Sequence, residues 1–260
     1  MPKTSPLAFC ARRRIKKCVC YFFARKAGPG RLSKRYGRPA PPEALESDCA
    51  RAFEHPECPA VAAGGIETMT WGMVPGWLRP GEGESPSAFS RRAGAFRKLT
   101  LNARCETLFE KPAFREAAKL RRCLVPATEY FEYMRLPSGR AVPHSIFMKG
   151  CGIFSMGGVF DFWTDPETGI AVRGFSIITT PANPLAAKIH NGGRNPFRMP
   201  FIVRKCDEEK WLDPGLTRAE AERLMAPFPE AEMAARELEG MPPAPVRDAG
   251  GAQGEFDFGG

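Results

Sequence analysis

Short apolar and aromatic runs, repeatedly interrupted by glycine and proline, limit the folds that this chain can adopt. Its 260 residues include 26 glycines and 26 prolines, and both residue types tend to end helices and strands. Short runs rich in Val, Ile, Phe, Tyr and Thr are typical of strands. The sequence therefore predicts one α+β domain, built around a mainly antiparallel, barrel-like β-sheet with short flanking helices.

The same runs and turn residues give approximate boundaries for the elements. Strands are predicted at residues 68–74, 123–126, 130–133, 145–148, 153–162, 172–179 and 201–203. Short helices are predicted at residues 43–53, 112–120, 183–190 and 217–225, and the last has a capping-box pattern formed by Thr217 and Glu220. The remainder of residues 26–60 and all of residues 79–98 are predicted to be loops.

Three segments differ in composition. Residues 20–238 form the predicted domain. Residues 1–19 are basic and free of acidic residues, as in a mitochondrial presequence, but they have no apolar secretory signal and no clear amphipathic period. We expect them to be absent from the active form, either because translation begins at Val19, read from a GTG codon, or because they are removed by proteolysis. Residues 239–260 form an acidic tail rich in Pro and Gly, which is expected to be disordered.

The net charge of +9 is unevenly distributed. Residues 207–260 hold five Lys/Arg and thirteen Asp/Glu, whereas residues 19–206 carry a net charge of +11. A basic body of this kind suits a polyanionic partner such as nucleic acid, although a merely soluble basic protein has the same signature. No run of 18 apolar residues occurs, so neither a membrane span nor a membrane partner is predicted.

The nine cysteines are odd in number and form no C-x-x-C pair. This pattern disfavours a disulfide framework or a zinc ribbon and favours a reducing compartment, which we expect to be the cytoplasm. The chain also has only three histidines. The sequence therefore predicts no Cys/His metal site and no cofactor.

Cys20 would have special chemistry as the first residue of the working protein. Its free α-amine and its thiol would then form a 1,2-aminothiol, which condenses with an aldehyde to an imine and closes to a thiazolidine. An internal cysteine cannot do this, because its nitrogen belongs to an amide. The alternative is that Cys20 is a buried structural thiol.

Two titratable residues are candidates for proton transfer. Glu132 lies among Tyr130, Phe131 and Tyr133, and aromatic surroundings disfavour the charged form of a carboxylate, which suits a general acid and base. Glu132 can equally point to solvent from a half-buried strand. His190 ends a predicted helix before a glycine-rich loop, where it can exchange protons near pH 7 or simply cap the helix.

Polar and aromatic residues upstream are candidates for binding. Asn102 and Arg104 alternate on an extended segment, where Asn102 can orient an amine and Arg104 can hold a phosphate, unless both belong to a polar strand edge. Trp71, Pro75 and Trp77 either provide a stacking platform for unpaired bases or form a plain core strand and turn.

Together these residues belong to an ordered set of motifs that resembles the SOS-response-associated peptidase (SRAP) family over roughly residues 20–228. The motifs are WGMVPGW (71–77), NARCET (102–107), KPAFR (111–115), RCLVPA (122–127), FEY (131–133), IHN (189–191) and RMP (198–200). Each is weak alone, but their order is specific. Proteins of this family have a single α+β domain, bind single-stranded DNA and join their N-terminal cysteine to abasic sites.

The resemblance implies a role for each candidate. Cys20 is the crosslinking residue, Asn102 positions its amine, Glu132 is the acid/base and His190 assists. Three arginines are expected to meet DNA phosphates, namely Arg104, Arg115 and Arg198. Single-stranded DNA with abasic sites is the implied partner, at the nucleoid.

The sequence departs from the family pattern in three places. Tyr21 and Phe22 follow the cysteine, where the family has Gly-Arg, so one expected DNA-contacting arginine is absent. Cys105 stands where alanine is common. Residues 192–197 lengthen the loop after His190.

Two other functions fit part of the pattern. A thiol peptidase would use Cys20 and His190, if only to remove its own leader. A non-catalytic single-strand binder would need the aromatic and arginine residues but not the cysteine.

The tail contains one further motif, QGEFDF, which runs from Gln253 to Phe258. It resembles the Gln-x-x-Leu-x-Phe peptides with which bacterial proteins dock on the replication sliding clamp, with Phe256 in the leucine position. A glutamine and two apolar side chains entering a groove would provide the recognition. The alternative is a random acidic end.

Overall fold

The structure, a computed structural model, describes residues 22–193 and 195–239. The strands are β1 Phe22–Arg25, β2 Ser47–Arg51, β3 Glu57–Ala62, β4 Gly65–Trp71, β5 Asn102–Arg104, β6 Arg122–Ala127, β7 Glu129–Arg135, β8 Ala141–Met148, β9 Phe154–Thr164, β10 Ala171–Pro181, β11 Arg198–Pro200, β12 Ile202–Val203 and β13 Met233–Glu237. The helices are α1 Pro29–Tyr36, α2 Pro86–Arg97, α3 Arg115–Leu120, α4 Pro184–Ile189, α5 Glu208–Leu212 and α6 Arg218–Leu224. Among these described helices, none is long and apolar enough to cross a membrane.

Five strands close into a barrel. Each pairs with the next in the order β10, β4, β3, β6, β9, and β9 returns to β10. Every contact in the ring is antiparallel except the parallel pair β4–β10. Outside this ring, β5 and β11 also pair with β10, and β12 pairs with the beginning of β9. The predicted fold class is confirmed.

A second, antiparallel sheet has the strand order β13-β8-β7-β1-β2. One of its faces shares a core with the barrel, in which Phe23 and Tyr130 from the sheet join Trp71 and Phe175 from the barrel. The Trp71 ring is fully buried, stacks on Phe175 at 6.0 Å and lies 5.1 Å from Phe23, measured between ring centroids. The indole N–H donates to the Leu101 carbonyl oxygen (2.9 Å). This packing joins the sheet to the barrel.

Three predictions from the sequence are wrong. Residues 43–53, predicted as a helix, instead contain β2 and a 3-10 turn, because Ala50 pairs with Phe23 of β1 and this tertiary pairing overrides local propensity. The predicted loops 26–60 and 79–98 contain α1 and α2. Both helices begin with proline, and Ser85 caps α2 by accepting from the Ala88 amide. The Ser-Pro signal was present in the sequence.

The remaining predicted elements are confirmed, with boundaries shifted by a few residues. α6 has the predicted capping box, in which Thr217 accepts from the Glu220 amide while the Glu220 carboxylate accepts from the Thr217 amide. Five elements were not predicted: β1, β3, β11, β13 and α5. The capping box could be predicted because it depends only on residues that are close in sequence.

Candidate functional site

The N-terminal end of β1 enters the fold beside Glu132. Cys20 itself lies outside the described residues, and the first described residue, Phe22, begins β1. β1 is antiparallel to β7, with Phe23 opposite Tyr130. The beginning of β1 is therefore directed toward the part of β7 that holds Phe131 and Glu132.

Glu132 is buried in the middle of β7. Glu132 is 1% exposed, which rules out the alternative in which its side chain points to solvent. Because side chains alternate along a strand, Glu132 shares a face with Tyr130, which lies in the core between the sheet and the barrel. The residue directly opposite on β8 is His144. A carboxylate thus lies at the inner face of the sheet, near the point where β1 begins.

His190 follows α4 directly and is also 1% exposed. Its Nδ1 lies 2.9 Å from the Arg198 carbonyl oxygen and 3.2 Å from the Arg198 amide nitrogen, so the ring bonds to β11 and not to the carbonyls that end α4. Its Nε2 is buried and has no hydrogen-bond partner within the described part of the chain. One ring nitrogen therefore fixes the imidazole, while the other makes no hydrogen bond to the described residues.

Asn191 links the end of α4 to β7, and sequence reasoning gave it no role. Its side-chain oxygen accepts from the Arg135 amide (2.7 Å), and its Nδ2 donates to the Arg135 carbonyl oxygen (3.0 Å). The amide side chain thus pairs with the backbone of β7 as another strand would. Since Arg135 is three residues after Glu132, this link brings His190 to the strand that carries Glu132. Asn191 lies within the IHN motif, which was the available signal.

β5 places Asn102 and Arg104 on one face. The strand runs parallel to β10, with Asn102 opposite Ile177 and Arg104 opposite Thr179. Asn102 is half-buried and Arg104 is exposed. The Arg104 guanidinium donates to the Asn195 side-chain oxygen (2.6 Å) in the loop after His190. β5 therefore borders the same loop that follows the candidate histidine.

Arg198 is buried on β11, although it was expected to meet DNA phosphates. Its guanidinium forms a two-pronged ion pair with Glu106 and donates to the Thr179 carbonyl oxygen (2.7 Å). Burial alone would raise the pKa of Glu106, but the hydrogen bonds and charge of Arg198, together with bonds from the backbone and from Cys105, hold that pKa below its usual value. In this arrangement Arg198 joins β10, β11 and the turn after β5. Both terminal nitrogens of its guanidinium bond to protein groups, whereas its buried Nε has no hydrogen-bond partner among the described residues.

The internal thiols in and near the barrel are poor nucleophiles. Burial, reinforced by Glu106, raises the pKa of Cys105 to about 11. Burial also raises the pKa of Cys58 to about 11 and raises that of Cys123 as well. Because the thiolate is the reactive form, these three cysteines stay protonated and unreactive at neutral pH.

Only one residue of the predicted stacking platform is accessible. Trp71 is fully buried and Pro75 is buried, so both belong to the core strand and turn that were the alternative interpretation. Trp77 is 44% exposed, and its indole N–H donates to the Pro112 carbonyl oxygen (2.9 Å). That bond places Trp77 beside the segment leading to Arg115, which is exposed at the start of α3. Trp77 and Arg115 are therefore both accessible in this region of the surface.

The last described strand lies two strands away from the candidate acid/base. β13 ends with Glu237 opposite His144, which is itself opposite Glu132. The tail motif from Gln253 to Phe258 lies outside the described residues.

Comparison with known proteins gives three consistent findings. A family model described as SOS response associated peptidase (SRAP) matches residues 40–240. The abasic site processing protein YoqW of Bacillus subtilis (strain 168) is 30% identical over 182 residues, which cover 70% of this chain and 72% of that protein. The abasic site processing protein HMCES of Gallus gallus is 27% identical over 165 residues, or 56% of this chain and 44% of that protein.

A crystal structure of a protein from Bacteroides thetaiotaomicron is similar in fold. It superposes with a TM-score of 0.76 at 36% sequence identity, covering 85% of this chain and 92% of that one.

Proposed function

The chain belongs to the SOS response associated peptidase family, and from this membership we propose that it processes abasic sites in single-stranded DNA by joining them covalently to Cys20. The names of the relatives support the substrate. The observation that carries the proposal is that two buried titratable side chains belong to, or are tied to, the strand beside the start of β1: Glu132 lies on β7, and His190 is joined to β7 through Asn191. We place the activity in the cytoplasm, at the nucleoid.

The proposed chemistry starts with the α-amine of Cys20, which is free once residues 1–19 are absent. An abasic site exists partly as a ring-opened aldehyde at C1′. The amine nitrogen attacks that carbon, and loss of one water gives an imine. The thiol sulfur then adds to the imine carbon as the imine nitrogen takes up a proton, and the five-membered thiazolidine closes. The net change is the loss of one water, and no oxidant or reductant is required.

Glu132 and His190 supply the proton transfers in this scheme. Glu132 protonates the departing hydroxyl and takes protons from the attacking amine. His190, held through Nδ1, assists opening of the sugar through Nε2. Asn102 orients the amine. Burial of the adduct against the inner face of the sheet keeps water from reversing the addition.

The decisive experiment compares proteins that start at Cys20 with proteins that retain residues 1–19. We expect only the first to form a heat-stable adduct with an abasic oligonucleotide, and N-terminal sequencing of protein from the native gene to begin at Cys20. Cys20→Ser keeps the amine, so it should form only an imine that borohydride can trap. A stable adduct from protein that retains residues 1–19 would refute the mechanism.

The same experiment separates the alternatives. Peptide hydrolysis by the protein starting at Cys20, without any adduct, would favour a thiol peptidase that uses His190. DNA binding that is unchanged in Cys20→Ala, again without adduct formation by the parent protein, would favour a simple single-strand binder.

A further inference from the structure

An exposed phenylalanine lies between two arginines near the end of β9. Phe162 of β9 is 53% exposed, whereas its neighbours Asp161 and Trp163 are buried. The Arg121 guanidinium lies 5.8 Å from the centroid of the Phe162 ring. On the other side, Arg173 of β10 is the direct cross-strand partner of Phe162, and side chains opposite each other in an antiparallel pair share a face.

The buried Asp161 carboxylate organises this surface. It accepts from the Gly76 amide (2.9 Å) and from the Phe162 amide (2.8 Å), and it pairs with Arg121 at 3.2 Å. Gly76 packs so closely that an added Cβ would lie 3.2 Å from the Phe162 carbonyl oxygen. Asp161 therefore holds the turn that carries Trp77 against Phe162.

The two exposed aromatic residues thus belong to one basic surface. Trp77 continues it toward Arg115, and Arg121 lies at the end of α3. Acidic groups are also present: Asp161 pairs with Arg121, and Glu67 pairs with Arg173. Both arginines nevertheless keep partly exposed side chains, 25% for Arg121 and 49% for Arg173.

We propose that Phe162, with Arg121 and Arg173, is a second stacking subsite that takes an unpaired base of the same DNA strand. Bases stack on aromatic rings whatever their identity, and adjacent cations attract the backbone phosphates. This inference rests on the proposed single-stranded DNA function and adds the position at which the strand is held away from the lesion.

The strand register gives the distance. Ile177 of β10 lies opposite both Asn102 and Gly158. Gly158 lies across β10 from Asn102, about 10 Å away at the usual strand spacing. Phe162 is four residues farther along β9, or about 13 Å at the usual strand rise. The two offsets together put Phe162 about 16 Å from Asn102, or roughly five nucleotides at 3.4 Å per stacked nucleotide. A strand centred on the candidate site reaches Phe162 only if it extends about that far.

The test uses oligonucleotides with a tetrahydrofuran abasic analogue, which cannot form an aldehyde, in lengths extending one to eight nucleotides on either side. Fluorescence anisotropy would compare the parent protein with Phe162→Ala, Phe162→Leu and Phe162→Trp. We expect Phe162→Ala to bind long oligonucleotides roughly 5- to 150-fold more weakly and the shortest ones as the parent does. Phe162→Trp should retain affinity, and Phe162→Leu should lose most of it.

Ile170→Ala is the matched control, because Ile170 is 61% exposed on the turn between β9 and β10 and has no role in the proposed subsite. Thermal unfolding of each variant checks the fold. Binding by Phe162→Ala within twofold of the parent at every length, or full affinity of Phe162→Leu, would overturn the subsite. Since the analogue is inert, that failure is distinct from loss of adduct formation, which is measured separately on true abasic DNA.

Discussion

At the scale of single residues, Glu132 is the side chain on which the proposed chemistry most depends. Glu132→Gln keeps the shape of the side chain and removes its ability to exchange protons. We expect adduct formation to slow by roughly 10²–10⁴-fold, while affinity for undamaged single-stranded DNA changes little. Single-turnover kinetics on an abasic oligonucleotide would measure the rate.

Glu129→Gln provides the matched control. Glu129 is on the same strand and is also buried, but it points to the opposite face, where Lys26 (2.5 Å) and Arg236 (2.9 Å) bond to it. This variant should lose stability without slowing the chemistry. Equal rates for Glu132→Gln and the parent would leave Glu132 with a packing role alone.

Two arginines with the same predicted role differ in exposure and bonding in the structure. Arg104 is exposed, so Arg104→Ala should weaken DNA binding and flatten the log–log salt dependence by about 0.7. Arg198 is committed to Glu106 and Thr179, so Arg198→Ala should lower the free energy of unfolding by about 1–3 kcal/mol. Salt titrations and urea unfolding of both variants test the distinction. A flattened salt dependence in Arg198→Ala at unchanged stability would reverse the assignment.

The difference between these residues shows what sequence alone can give at this scale. Residue types and motif order indicated the candidate set. The sequence did not show which of these side chains are buried. Glu132 has aromatic residues on both sides, and the alternation of side chains along a strand does not say which face is inward. The partner of Arg198 is Glu106, 92 positions earlier in the chain, and no local pattern indicates such a pair.

At the scale of elements, the Asn191 link between α4 and β7 gives a further prediction. Asn191→Ala removes both hydrogen bonds to Arg135, so the end of α4 should lose its fixed position and adduct formation should slow. Asn191→Asp keeps the acceptor for the Arg135 amide and should recover part of the rate. Single-turnover rates at saturating DNA report positioning, whereas a purely structural role would change only the unfolding free energy.

Whether an element could be predicted depends on how far apart in sequence its stabilising interactions are. α6 and α4 were predictable, because their caps and proline positions are local. β2 was mistaken for a helix, because only its pairing with β1 makes it extended. Closure of the barrel depends on the pair β4–β10, which joins segments that are distant in sequence. The composition of the chain indicated a barrel-like sheet but not which strands close it.

At the scale of the whole molecule, the tail gives the last prediction. A labelled peptide of residues 246–260 should bind the purified sliding clamp from the same source, with a Kd below about 1 mM, because weaker binding would add little even on a tether. Changing both Phe256 and Phe258 to Ala should abolish binding. Fluorescence anisotropy measures both, and a peptide indifferent to the double change would leave the tail as a solubilising appendage.

The positions of β1 and β13 in the second sheet make the protein mechanically asymmetric. β13 is an edge strand held by β8 alone, whereas β1 lies between β7 and β2. A force applied at the Glu237 end of β13 breaks the hydrogen bonds to β8 one after another, as in a zipper. A force applied at Phe22 must strip β1 from two neighbours together. An unfolding machine that grips the C-terminal side therefore meets the weaker resistance, and β1, the described strand nearest in sequence to the proposed crosslinking residue Cys20, would come apart after β13.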